Sequence, residues 1–135
     1  MNGKLFLVVF AFACLALASC NIEETRRQRK ELDFFLGRNS HRLSDDKLYQ
    51  RTIDGLNSTP SNFRGYKIAE KLVMIGNTNG CSQEVLEALN EFKGHDIREP
   101  KNDMERMLKL AIKDAKLTGE CKDAAKALAA GPRED

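Results

Sequence analysis

The sequence predicts an all-α protein: a single small bundle of five to six short amphipathic helices with one disulfide. Three observations lead there. Beyond residue 20, leucine, alanine and methionine number 24 against eight valines and isoleucines, a ratio that favours helix over strand. Apolar residues recur at intervals of three and four, and no segment past residue 20 alternates apolar and polar residues long enough to demand a sheet. Two cysteines, Cys81 and Cys121, are left to pair once the first 20 residues are set aside.

Taken in order, Asn21 with Glu24 reads as a capping box opening a first helix that runs to Phe35-Leu36 and stops at Gly37. Ser44 is the next N-cap. Leu43 before it and Leu48 within the helix form a hydrophobic staple, and Tyr49, Ile53 and Leu56 share one face. Asn57 to Ser61 reads as a loop, with Thr59-Pro60 as N-cap and first residue of a third helix. Phe63, Ile68, Leu72 and Ile75 give that helix its apolar stripe, Gly65 weakens its first turn, and Gly76 ends it. A tight turn, Asn77 to Gly80, leads to Cys81 and the N-cap Ser82. Val85, Leu86, Leu89 and Phe92 form the fourth apolar face, stopped by Gly94. Residues 95–101 look irregular. Asn102 with Glu105 caps a fifth helix carrying Met104, Met107, Leu108, Ala111, Ile112 and Ala115, which Gly119 is expected to end. A short alanine-rich helix from Cys121 to Ala129 closes at Gly131-Pro132.

The address is read from the start of the chain. Leu5 to Ala18 is a run of fourteen apolar residues behind Lys4. That is shorter than the roughly 20 helical residues needed to cross a hydrocarbon core of about 30 Å, and it matches the apolar region of a cleaved signal peptide over residues 1–20. Ala16-Leu17-Ala18 fits cleavage before Ser19, and Ala18-Ser19-Cys20 fits cleavage before Asn21. The later cut is preferred because it leaves an even number of cysteines in an oxidising compartment. Leu17-Ala18-Ser19-Cys20 also resembles the lipobox of bacterial lipoproteins, which implies acylation of Cys20 and a lipid-anchored envelope protein as the alternative. The helical domain then spans residues 21–135, with 40 apolar and 41 charged residues. Its net charge near +1 provides no electrostatic case for nucleic acid and only a local one for anionic membranes. Membrane contact is expected only through lipidation at Cys20.

Catalytic and metal chemistry find little support. His41 and His95 stand in different loops without ligand-spaced partners, and Cys-x-x-Cys, His-x-x-x-His and Gly-x-Ser-x-Gly are absent. His95-Asp96 reads as a solvated loop. The turn at Asn77 and Asn79 would place Ile75 and Leu86 at the first and twelfth positions of a calcium loop, where carboxylates are required. No cofactor, metal or enzymatic activity is expected, and Cys81 and Cys121 are assigned to a structural disulfide. Asn57-Ser58-Thr59 is a glycosylation sequon whose occupancy Pro60 lowers, so Asn57 is either a glycan acceptor or an ordinary loop asparagine. Arg26-Arg27-Gln28-Arg29-Lys30 is the densest basic run. Its neighbours Glu23, Glu24, Glu31 and Asp33 favour a solvated helical face over an anion-binding one. Lys109, Lys113, Lys116, Lys122 and Lys126 are interleaved with Asp114, Glu120 and Asp123 and read the same way.

Two binding roles follow. Met104, Met107, Leu108 and Ile112 would line an adaptable pocket if the protein carries a small apolar ligand, yet the same spacing serves plain core. Four phenylalanines and two tyrosines past residue 20 leave little apolar volume for a cavity of several hundred Å³. Phe35, Phe63, Leu72, Leu86, Phe92, Leu108 and Ile112 are expected to fill the interior. The expected function is therefore a secreted, extracellular interaction factor that recognises a protein or glycan through exposed helical faces, with apolar-ligand carriage as the alternative.

Overall fold

The computed structural model describes residues 26–95 and 97–130, so the leader, Cys20, the first capping box, Asp96 and the Gly131-Pro132 stop lie outside the described residues. Within them the chain is an all-α bundle of six helices: α1 (26–36), α2 (Asp45–Ser58), α3 (Tyr66–Gly76), α4 (Gln83–Glu91), α5 (Asp103–Asp114) and α6 (Gly119–Ala129). A 3-10 turn, Ser40–Arg42, joins α1 to α2. No helix among the described residues is long and apolar enough to cross a membrane.

The core forms where the apolar stripes meet. α5 buries Met104, Met107, Leu108 and Ala111 along one side and packs on both α2 and α3. α3 adds Ile68, Ala69, Leu72 and Ile75, α4 adds Val85, Ala88 and Leu89, and α1 adds Leu32 and Leu36. Phe92, one residue past α4, is the largest fully buried side chain. α4 in turn packs on α6. The Cys81–Cys121 disulfide ties the segment before α4 to the first turn of α6, with Cα atoms 5.5 Å apart. This is the bond expected from the cysteine count.

Several boundaries differ from the expectation. α2 continues through Asn57 and Ser58, which places the sequon in its last turn. Thr59-Pro60 does not open α3: turns closed by Phe63 N donating to Pro60 O and Tyr66 N to Phe63 O fill the interval, and α3 starts after Gly65. Pro60 is the first residue of its turn, where only its carbonyl is used and its missing N–H costs nothing. The same residue therefore suits a turn and a helix start, and tertiary packing selects the turn. Phe63 is consequently exposed and not core. Gly119 opens α6 instead of ending α5, which closes earlier at Asp114. Between them Lys116–Leu117 pairs in parallel with Asn79–Gly80, with Lys116 N donating to Thr78 O at 2.9 Å and Thr118 N to Gly80 O at 3.1 Å. Two-residue strands have no alternation for a sequence pattern to detect. They bring the ends of the loops beside the disulfide into register.

Candidate functional site

Two surfaces stand out, and both are built around the end of α1. The first is a polar cleft of about 790 Å³ between the α1–α2 connection and the start of α5, lined in part by Asp33, Arg38, Ser40, Lys101, Asp103 and Arg106. Positive φ at Gly37 and Asn39 ends α1 and turns the chain into the 3-10 turn, a conformation open to glycine and tolerated by asparagine. That turn buries Ser40, whose hydroxyl donates to Asp103 Oδ2 at 2.7 Å. Arg106, one turn into α5, donates to Asp103 Oδ1 at 2.8 Å, to Asp45 Oδ1 at 2.6 Å and to the Leu43 carbonyl. Burial works to lower the Arg106 pKa, but its hydrogen bonds to Asp45 and Asp103 outweigh this and hold it above its ordinary value. The Asp33 carboxyl is raised above its ordinary value, first by burial and then by the Asp103 charge, with Arg29 pulling the other way. The strongest polar groups here are spent on one another. Ser40 meets Asp103 directly and His41 is exposed, unlike a nucleophilic triad, where imidazole stands between hydroxyl and carboxylate.

The second surface is apolar. Phe34 and Phe63 are 61% and 43% exposed, and their rings stack with centroids 5.9 Å apart and planes 26° from parallel. Half-buried Phe35 meets Phe63 at 6.4 Å, and Arg64 lies with Cζ 5.5 Å from the Phe34 centroid. The geometry follows from two local facts. Consecutive helical residues point about 100° apart, so with Leu32 and Leu36 committed to the core, Phe34 faces outward while Phe35 tucks against Gly55. Gly65, at φ +87°, lets the turn before α3 lie directly on the α1 backbone at Glu31, which brings Phe63 and Arg64 over Phe34.

The sequence-predicted residues are dispersed. Cys81 and Cys121 are joined to each other, and neither lines the polar cleft. Met104, Met107 and Leu108 are fully buried and Ile112 is half-buried against them, and neither this cleft nor a smaller one of about 290 Å³ on α2 is lined by any of the four. Asn57 is exposed. In the basic run, Arg26, Arg27 and Lys30 are exposed, and Arg27 faces Glu31 at 3.8 Å. His95 is not solvated. Its ring packs edge-on against Phe92, its Nδ1 lies 3.0 Å from Glu105 Oε2, and its buried Nε2 has no hydrogen-bond partner. Glu105 Oε1 also accepts from Lys101 N at 2.9 Å, so one capping-box carboxylate ties the 95–101 loop to α5. Among the described residues no group of three metal-ligating side chains occurs. The aromatic surface had a sequence signal, the adjacent pair Phe34-Phe35, of which a single helical face can bury one.

A scan of protein-family models and searches of curated proteins and of solved structures found no match to the chain.

Proposed function

We propose that the protein is a secreted, non-enzymatic interaction factor that works through an exposed helical surface centred on Phe34, Phe63 and Arg64. The observation that carries this reading is the division of its aromatic residues: Phe92 fills the core, whereas Phe34 and Phe63 stack in solvent with a guanidinium over one ring. Aromatic and arginine side chains are enriched at recognition hot spots, and a fixed pair has less conformational freedom to lose on binding. The apolar leader supports export, and the disulfide is compatible with an oxidising compartment. Packing of Met104, Met107 and Leu108 into the core supports surface recognition over carriage.

Native mass spectrometry of protein from its own host tests this reading. The expected species begins at Asn21, is oxidised at Cys81 and Cys121, and carries no small apolar molecule after gentle purification. A stoichiometric lipid-like compound recovered by organic extraction would replace it with the carrier reading. An acylated mass on Cys20 would replace secretion with a lipid anchor.

A further inference from the structure

We infer that the Phe34–Phe63 surface docks on anionic lipid bilayers, the two rings entering the acyl boundary while basic side chains on the same side meet headgroup phosphates. The inference rests on the recognition surface proposed above and names what that surface contacts.

Charge around the rings selects the class of occupant. On α1, Lys30 lies four residues and Arg27 seven residues before Phe34, positions that share its helical face. Lys30 is exposed, and Arg27 keeps 65% of its side chain accessible while facing Glu31, an acidic neighbour on this face. Arg64 lies over the Phe34 ring, and exposed Lys67 follows in the first turn of α3. A second copy fits poorly, because a two-fold contact through the rings presents the same basic patch from both partners. The partner should therefore be anionic.

Shape selects among anionic partners. Neither of the two clefts includes Phe34, Phe63 or Arg64, and the two rings keep 61% and 43% of their surface in solvent, so they stand outside both clefts. Phenylalanine has no polar handle and gains most where an apolar phase lies beneath a charged layer, which is the arrangement of a bilayer interface. An acidic polysaccharide supplies the charge without that phase. Sequence alone assigned membrane contact only to an acylated Cys20. Folding adds a second route by placing Phe63 and Arg64, distant in sequence, against Phe34, one helical turn beyond Lys30.

The test is vesicle flotation of the processed, oxidised chain with phosphatidylcholine alone and with about one-third phosphatidylglycerol. Binding is expected only to the anionic vesicles and should weaken as salt is raised. Phe34→Ala with Phe63→Ala should reduce it about tenfold or more. Lys30→Glu with Arg64→Glu should reduce it at least about 25-fold, each basic residue near such a surface being worth about fivefold. Circular dichroism confirms that both variants fold, and the charge variant leaves both rings in place. Equal binding to neutral vesicles, anionic binding unchanged in both variants, or concentration-dependent dimers lost in the phenylalanine variant would each overturn the proposal. So would capture of a defined acidic protein through the same residues without vesicle binding, an outcome that leaves the broader interaction role standing.

Discussion

Gly65 sets the angle at which the third helix meets the first. A Cβ there would strike the Glu31 carbonyl oxygen and the Phe35 Cβ, and the backbone has φ +87° besides. Because the obstacle is main chain and cannot rotate away, Gly65→Ala is expected to cost about 3 kcal/mol in chemical denaturation. A loss under about 1 kcal/mol would mean that the turn relaxes freely. Asp33 provides a pH-dependent counterpart. Its carboxyl is raised above 3.8 by burial and by Asp103, so the folded chain holds that proton more readily than the unfolded one. Ionised Asp33 therefore opposes folding above its folded pKa, and the penalty disappears as pH falls through that value. Asp33→Asn should raise Tm slightly at neutral pH and leave it unchanged in strong acid. A variant less stable than the parent at neutral pH contradicts this.

Helix starts differ in how firmly they are tied. Ser82 and Asn102 each accept a backbone N–H three residues on, from Val85 and Glu105, whereas Ser44 makes no side-chain cap bond. Substituting alanine at Ser82 or Asn102 should cost about 1 kcal/mol each, and at Ser44 clearly less, as measured by urea unfolding. Equal losses at all three would show that residue type, and not the bond, sets the effect. These starts were legible because capping is local chemistry: a short polar side chain reaches its own third neighbour. The start of α3 was not legible, because Thr59-Pro60 satisfies turn and helix alike and the choice falls to Gly65 packing on Glu31. The β-pair at Asn79 and Lys116 was hidden for the same reason, since its partners lie far apart in sequence. The aromatic surface was half legible: Phe34-Phe35 announces one outward ring, but nothing local places Phe63 against it.

For the molecule as a whole, the small core of the described residues is supported by the Cys81–Cys121 bond. The bond spans a sequence separation of 40, and closing a loop of that size limits the unfolded chain by roughly 4 kcal/mol in the entropic model. Cys81→Ala with Cys121→Ala should lose about 2–5 kcal/mol. A loss under about 1 kcal/mol would assign stability to helix packing alone. With core and disulfide maintaining the fold, Phe34 and Phe63 should be dispensable to it, and that separation of roles is most directly measured by urea unfolding of two variants. Phe92→Ala is expected to lose about 3–5 kcal/mol, as a filled core position does. Phe34→Ala with Phe63→Ala should cost clearly less than Phe92→Ala, because both rings keep much of their surface in solvent. If the double substitution unfolds the protein as severely as Phe92→Ala, the exposed rings are structural, and recognition through them is contradicted.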